Sequence, residues 1–157
     1  MKRASCFNDM IKKISNGVKY VSASEKETFN FAKKFAKNLK GREIIGLVGD
    51  LGAGKTVFAK GLAAGLGIKQ KITSPTFVLM RIYPVNKKRI KNFVHIDAYR
   101  LKTAADLETI GAKEYFSDPS SIVLIEWADK VKKIIPHAII INIEIIKSSR
   151  LINIVKK

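Results

Sequence analysis

The chain of 157 residues contains a single cysteine, Cys6, so it cannot form a disulfide bond within itself. Disulfides are typical of secreted proteins and are rare in reducing compartments. Long hydrophobic runs are also missing, because runs such as "AIII" at 138–141 fall far short of the roughly 20 residues of a membrane-spanning helix. The N-terminal stretch "MKRASCFNDMIKKIS" is basic but lacks the continuous apolar segment of a secretory signal. These absences predict a cytoplasmic protein that does not enter a membrane.

Acidic residues are scarce: 13 Asp and Glu face 30 Lys and Arg, which gives a formal net charge of +17. The excess of positive charge is concentrated in residues 1–41 and 69–102. Such an excess is typical of proteins that bind a polyanion, above all nucleic acid. A lysine-rich composition without any such partner would leave the same charges as a solvated surface. The charge by itself leaves both interpretations open.

Hydrophobic residues make up 46% of the chain and fall into short segments. Apolar runs of this kind, some continuous and some alternating, are typical of strands. Strands are predicted at 43–49, 76–83, 92–99, 121–127, 138–146 and 150–156, and the second and third should form a hairpin. A capping box of Ser24 and Glu27 begins one helix, and further helices are predicted at 55–67 and 103–116. This order predicts an α/β sandwich with parallel central strands.

The stretch "GDLGAGKT", residues 49–56, fits the pattern G-x-x-x-x-G-K-[ST] without a mismatch. It follows a predicted strand and begins a predicted helix, which is the context that a phosphate-binding loop requires. Its glycines let successive backbone N–H groups point at one anion, and the helix N-terminus adds a positive dipole end. The predicted nucleotide-binding residues are Gly49, Asp50, Leu51, Gly52, Ala53, Gly54, Lys55 and Thr56. The fold class is therefore a single P-loop NTPase-type sandwich, with antiparallel additions to the central strands and helices on both faces.

Two acidic residues follow apolar strands, where ligands of open α/β sheets collect. Glu126 ends the more apolar strand and is predicted to bind Mg²⁺ together with the hydroxyl of Thr56. Asp97 ends the other strand and is predicted to orient or deprotonate an attacking water. Lys55 is predicted to contact the terminal phosphates. For either acid the alternative is an ordinary surface carboxylate just past a strand.

Three other residues stand in or beside these motifs. Thr76, in "SPTF", either reaches the γ-phosphate side of the metal, as switch-loop threonines do, or belongs to an ordinary turn. His95 lies within a predicted strand and is interpreted as a core histidine. Trp127, the one tryptophan, is open to roles in packing, partner contact or switching.

Four stretches, "GDLGAGKT", "SPTF", "HIDAYRL" and "IEWAD", together resemble the TsaE family, also called YjeE. These are small P-loop ATPases of bacterial tRNA threonylcarbamoyladenosine synthesis. The resemblance covers about residues 18–155, so residues 1–17 are predicted to be a basic extension and 18–157 the ATPase domain. It implies ATP and Mg²⁺ as cofactors, and an ATPase that is weak or silent without its partner proteins.

The resemblance also implies roles for particular residues. The phosphate loop falls on residues 49–56, the magnesium ligands on Thr56 and Glu126, and the functionally required aspartate on Asp97. The family's tryptophan falls on Trp127, and the nucleotide base is expected near Ser24 and Arg150. After the tryptophan this chain has "ADK" where the family often has a proline and a glutamate, so no role is assigned to Asp129.

The implied partners are the TsaD and TsaB proteins. TsaD transfers a threonylcarbamoyl group to the adenosine beside the anticodon of certain tRNAs, and TsaE hydrolyses ATP to reset the complex. The basic residues of the predicted hairpin, which are Arg81, Lys87, Lys88, Arg89 and Lys91, are candidates for contact with tRNA in the complex. Two alternatives stay open: the same face docks TsaD–TsaB, or the charges are a solvated lysine patch.

Two alternatives come from other classes of protein. A small P-loop nucleoside or nucleotide kinase would bring lid arginines onto the transferred phosphate, but no cluster of arginines follows the P-loop here. An RNA-binding module that uses ATP only as a non-hydrolytic switch would suit the charge, although no RNA-binding motif is present.

Overall fold

Seven strands and five helical segments make up the part of the chain that the computed structural model describes, residues 17–103, 105–135 and 137–156. In chain order the elements are β1 (Val18–Ser22), α1 (Glu25–Ala36), β2 (Ile44–Val48), α2 (Lys55–Gly65), β3 (Met80–Pro84), β4 (Asn92–Asp97), α3 (Ala105–Thr109), α4 (Lys113–Phe116), β5 (Ser121–Glu126), a 3-10 helix (Ala128–Ile134), β6 (Ile139–Ile146) and β7 (Ser149–Lys156). Residues 1–16, most of the predicted N-terminal extension, lie outside the described residues.

The seven strands form one sheet in the order β1-β7-β6-β2-β5-β4-β3. The four central strands, β6, β2, β5 and β4, are parallel to one another. The antiparallel strands lie on either side of them: β3 pairs with β4, while β7 and β1 extend the sheet beyond β6. The predicted sandwich with a parallel centre and antiparallel additions is confirmed.

The two faces of the sheet carry separate hydrophobic cores, because side chains alternate along each strand. In β5, Ile122 and Leu124 join the core that α1 and α2 cover, which includes Phe35 and Phe58. The intervening Val123 and Ile125 join a second core with residues of α3 and the 3-10 helix. Full burial of a large side chain such as Phe58 contributes roughly 1.5–3 kcal/mol to stability. Helices therefore cover both faces, as predicted.

The helix starts follow the local signals. The Ser24 hydroxyl accepts a hydrogen bond from the Glu27 N–H at 3.2 Å, and the Glu27 carboxylate accepts one from the Ala23 N–H at 2.8 Å. This is the predicted capping box of α1. Within the described residues, no helix has the length and apolar character needed to cross a bilayer.

Two predicted elements differ in the structure. The strand predicted at 76–83 begins only at Met80, because the preceding residues form a turn in which the Pro75 carbonyl accepts hydrogen bonds from the Val78 and Leu79 N–H groups. The helix predicted at 103–116 is two short helices, α3 and α4. They are separated at Gly111, whose φ of 74° is incompatible with a continuous right-handed helix.

Candidate nucleotide-binding site

The parallel strands bring their carboxyl ends to one edge of the sheet. Leu47 near the end of β2 pairs with Glu126 at the end of β5, and Glu126 pairs with Asp97 at the end of β4. Both carboxylates are 3% exposed. Residues from three separate segments of the chain therefore meet here, where open α/β sheets bind their ligands.

The glycine loop joins β2 to α2 at this edge. Gly49 has φ 154°, and a Cβ atom at this position would lie 2.4 Å from the Ile143 carbonyl oxygen, so a larger residue does not fit. Gly54 caps α2 with φ 108°, in the left-handed region that glycine adopts without strain. Its missing Cβ would lie 3.3 Å from Arg150 Nε. The backbone thus forms a narrow loop in front of the N-terminus of an eleven-residue helix.

Lys55 lies along this loop. Its Nζ donates hydrogen bonds to the carbonyl oxygens of Gly49 at 2.7 Å and Asp50 at 2.8 Å, and it lies 3.8 Å from the centroid of the Trp127 ring. Burial lowers the pKa of the Lys55 ammonium, while nearby carboxylates, that of Glu126 most strongly, act in the opposite direction. The loop, the Trp127 ring and the carboxylates therefore hold a partly desolvated cation at the N-terminus of α2.

Asp97 accepts hydrogen bonds on both carboxylate oxygens. The hydroxyls of Ser74 and Thr76 donate to Oδ2 at 2.9 and 2.8 Å, and the Tyr99 N–H donates to Oδ1 at 2.9 Å. Thr76, one of the predicted site residues, is thus hydrogen-bonded directly to Asp97. Ser74 was not predicted as a site residue, although its position in the same "SPTF" stretch was the available signal.

Glu126 is held by a histidine that sequence reasoning assigned to the core. His95 Nε2 lies 2.8 Å from Glu126 Oε1, and the histidine is completely buried. Its ring also stacks near that of Phe93, with centroids 6.1 Å apart. The core interpretation is confirmed by the burial of His95, and the structure adds a contact that the sequence did not indicate. Its contact is with the predicted magnesium ligand.

A cleft of about 540 Å³ lies between the glycine loop and the two carboxylates. Its lining residues are Glu25, Leu51, Gly52, Gly54, Lys55, Thr56, Val57, Ser74, Thr76, Asp97, Tyr99, Glu126 and Trp127. Most predicted site residues therefore share one cavity. Ser24 is exposed and uses its hydroxyl to cap α1, and its neighbour Glu25 lines the cleft instead.

The donor groups of this cleft fit a magnesium nucleotide. Mg²⁺ in proteins is usually bound through one or two carboxylates and substrate phosphates, and the Thr56 hydroxyl and the Glu126 carboxylate supply oxygen ligands of this kind. Among the described residues no group of three or more His, Cys, Asp and Glu could hold a metal ion. The Nε of Arg150, beside Gly54, is buried without a hydrogen-bond partner among the described residues, so one donor next to the loop is unused.

Trp127 separates this cleft from a second one. The residue has φ 57° and ψ 41°, a left-handed conformation that is rare for a large side chain, and its ring lies 5.0 Å from that of Tyr99. It lines both the nucleotide cleft and a neighbouring cleft of about 420 Å³. Asp129 lines only the second, with Asp50 and Glu144.

A buried parallel strand, a glycine loop and a helix, with an acid at the end of the adjacent strand, define the P-loop class of nucleotide-binding proteins. The family model described as threonylcarbamoyl adenosine biosynthesis protein TsaE matches residues 22–152. The chain belongs to the TsaE family.

Similar proteins agree with this assignment. A Rickettsia typhi protein named tRNA threonylcarbamoyladenosine biosynthesis protein TsaE is 40% identical over 136 residues, which cover 85% of this chain and 91% of the relative. A Haemophilus influenzae protein of the same name is 38% identical over 131 residues, 80% of each chain. The crystal structure of Bacillus subtilis YdiB is 31% identical, with a TM-score of 0.72 over 88% of this chain and 84% of that one.

Proposed function

We propose that this protein binds and hydrolyses ATP with Mg²⁺ as a subunit of tRNA threonylcarbamoyladenosine biosynthesis, working in the cytoplasm with TsaD and TsaB. The observation that carries the proposal is the cleft in which Lys55 and Thr56 of the P-loop face Asp97 and Glu126. The pathway is supported by family membership and by the names of the relatives.

The P-loop would bind the phosphates. Backbone N–H groups of the loop and the N-terminus of α2 attract anions, and the Lys55 ammonium lies on the same loop. Lys55 would exchange its carbonyl partners for phosphate oxygens, which form stronger, charge-assisted hydrogen bonds. The unused Nε of Arg150 lies beside Gly54, which supports a contact between Arg150 and the bound nucleotide.

Thr56 and Glu126 would hold the magnesium ion. The ion, when bound, would neutralise negative charge on the phosphate oxygens. The role of His95 in this arrangement is to fix one oxygen of Glu126 through the 2.8 Å hydrogen bond, so that the carboxylate keeps a single orientation. Such supporting contacts are common behind metal ligands.

Asp97 would position the attacking water. Its Oδ2 is engaged by two hydroxyls, whereas Oδ1 accepts a single hydrogen bond among the described residues. A carboxylate oxygen accepts about two hydrogen bonds, so Oδ1 has a site for a water O–H. Ser74 and Thr76 fix the carboxylate, and a change in the turn that carries them would move Asp97. This links the state of that turn to hydrolysis.

The rim of the cleft supports dependence on partner proteins. Leu51, Phe77 and Tyr99 are 86%, 85% and 51% exposed, and two of them line the cleft. Apolar side chains grouped around a polar site are typical of surfaces that a protein partner covers. We therefore expect hydrolysis to be slow until TsaD and TsaB bind.

The test is phosphate release from Mg·ATP by the full chain, alone and with TsaD–TsaB, together with the yield of modified adenosine in a tRNA transcript. We expect hydrolysis without any small-molecule acceptor, stimulation by the partners, and loss of both activities in Thr56→Ala. Thr109→Ala, an exposed threonine outside the cleft, is the matched control and should retain both. Phosphate transfer to a nucleoside, or tRNA modification that proceeds equally without this protein, would overturn the proposal.

A further inference from the structure

We propose that the edge of the sheet opposite the nucleotide cleft binds the phosphate backbone of RNA. We call this surface the basic edge. Its residues are Lys37, Lys40, Arg42, Lys87, Lys88, Arg89, Lys91 and Ser120. The identification of that RNA as tRNA rests on the proposed function, whereas the surface itself follows from the arrangement of charge.

Backbone hydrogen bonds bring the parts of the basic edge together. The Arg42 N–H donates to the Ser121 carbonyl at 2.8 Å, and the Lys91 N–H donates to the Ser120 carbonyl at 2.7 Å. The segment before β2 and the loop before β4 are thus both fixed to the start of β5. They enclose a cleft of about 460 Å³ lined by Lys40, Gly41, Arg42, Arg89, Pro119 and Ser120.

The predicted basic hairpin only partly corresponds to this surface. Arg81 is excluded, because it pairs with His95 near the other end of β3, toward the nucleotide cleft. Lys37 belongs to the basic edge instead. Burial is the main cause of the lowered pKa of Lys87, and the charge of nearby Lys37 is the second cause. The Lys87 ammonium also donates to the Gly65 carbonyl at 3.2 Å, which fixes it next to the helices.

The carboxylates of this region are occupied by other groups. Glu43 accepts hydrogen bonds from the N–H groups of Lys40 and Gly41, at 2.9 and 2.8 Å. Asp118 accepts from Ser120 and Ser121. Among the described residues, none of the basic-edge cations forms an ion pair. The two carboxylates keep their negative charge, but the seven cations of the basic edge outnumber them, and this excess of positive charge is the electrostatic pattern of a polyanion site.

The loop before β2 keeps a strained conformation. Arg42 has φ 71°, in the left-handed region that is unfavourable for a non-glycine residue. The adjacent Gly41, at φ 108°, packs so tightly that a Cβ would lie 2.3 Å from the Pro119 carbonyl oxygen. Arg42 and Arg89 both line this cleft, and arginine side chains suit phosphate oxygens, which they bind in a bidentate manner.

The chemistry favours RNA over a membrane or an apolar protein surface. None of the exposed large hydrophobic side chains of the described residues belongs to the basic edge. Membrane-surface segments combine cations with buried apolar groups, whereas a row of cations alone matches a phosphate backbone.

The basic edge is also independent of the nucleotide cleft. The central strands β4 and β5 each have six residues, so at about 3.3 Å per residue roughly 16–20 Å separate the two edges. This exceeds the screening length of about 8–10 Å at ordinary salt. Changes in the exposed charges should therefore leave ATP binding intact.

The experiment measures affinity of the full chain for an unmodified tRNA transcript over a range of salt concentrations. The test variant is Lys40→Gln/Lys88→Gln/Arg89→Gln, and the control is Lys132→Gln/Lys133→Gln/Lys147→Gln, which removes equal charge outside the basic edge. We expect the test variant to bind at least about tenfold more weakly and to lose up to roughly one unit of salt slope per lost phosphate contact. The control should resemble the wild type.

Equal affinity and salt slope in the two triple variants would overturn the proposal, as would binding to phosphatidylglycerol vesicles in place of tRNA. ATP affinity, measured on the same samples, should be equal in all three proteins and shows that each is folded. A wild type that binds tRNA through the basic edge but does not hydrolyse ATP would contradict the proposed function alone. A wild type that hydrolyses ATP but gives no difference between the triple variants would contradict the basic edge alone.

Discussion

The two edges of the central sheet use charge in opposite ways. At the carboxyl edge, Lys55, Asp97 and Glu126 are buried, and each charged group has hydrogen-bond partners at defined distances. At the amino edge, the basic-edge cations share one sign and form no ion pairs among the described residues. The first arrangement fixes the orientation of a few charged groups. In the second, several cations together produce a positive electrostatic potential. Under the two proposals, one edge serves chemistry and the other long-range attraction.

Desolvation explains why the two arrangements respond differently to change. A buried charge that loses its partner retains its desolvation cost, so one substitution has a large effect. An exposed charge is screened by water and salt, so single substitutions have small effects that accumulate. A single substitution at the carboxyl edge should therefore have a large effect, whereas several substitutions are needed at the amino edge.

The largest effect is expected for Asp97→Asn. Asparagine keeps the shape but loses the charge that orients a water, so hydrolysis by the partner-bound protein should fall roughly 10²- to 10⁴-fold. ATP affinity should change little, because the loss acts in the transition state. Single-turnover phosphate release and calorimetry measure the two quantities. Normal hydrolysis in this variant would mean that Asp97 has a structural role, and it would contradict the claim that the carboxyl edge serves chemistry.

Lys55→Ala should weaken binding of ATP roughly 10- to 100-fold, since a charge-assisted contact with phosphate contributes about 1.5–3 kcal/mol. Calorimetry with Mg·ATP measures the change. Lys88→Ala, at the amino edge, is the control and should bind ATP like the wild type. If both variants lose affinity equally, the two edges are not independent.

His95→Phe should lower the affinity for Mg²⁺ in the presence of ATP by about tenfold or more, the usual cost of losing a group that supports a metal ligand. Affinity for ATP without Mg²⁺ should be unchanged, and His95→Gln, whose amide can donate to Glu126, should restore part of the loss. Titration of ATP-bound protein with Mg²⁺ measures it. A loss of folding stability with unaltered Mg²⁺ affinity in both variants would show that His95 has only a structural role in the core.

The smallest effect is expected for Asp118→Asn. Hydrogen bonds from Ser121 and Ser120 lower the pKa of the Asp118 carboxyl below its ordinary value of 3.8. A depressed pKa stabilises the fold above the unfolded-state pKa, and this contribution disappears as the pH falls through the folded-state pKa. Urea unfolding should show Asp118→Asn to be less stable than the wild type at pH 6, with a smaller difference near pH 3. An equal difference in stability at both pH values would mean that the charge of the Asp118 carboxylate does not contribute to folding stability.

Much of the nucleotide site is visible in the sequence because its signals are local. The residues "GDLGAGKT" are contiguous, and Asp97 and Glu126 stand at the ends of apolar runs, so parallel strands bring them to the same edge of the sheet. Contacts between distant segments are not visible in this way. His95 points at Glu126 from another strand, and Arg150 reaches Gly54 only because β7 pairs with β6. No pattern in the strand of His95 indicates its contact, and Arg150 is placed near the nucleotide only by the family resemblance.

The sequence by itself determined the P-loop, the α/β class and the capping of α1, because each depends on residues within a few positions of one another. The tertiary structure alone decided which histidine holds Glu126, which hydroxyls hold Asp97, and that Lys37 and Lys40 lie with the loop before β4 rather than apart from it. The physical reason is that strand order and register set these neighbours. They are fixed by the burial of both faces of the sheet as a whole and not by any one segment.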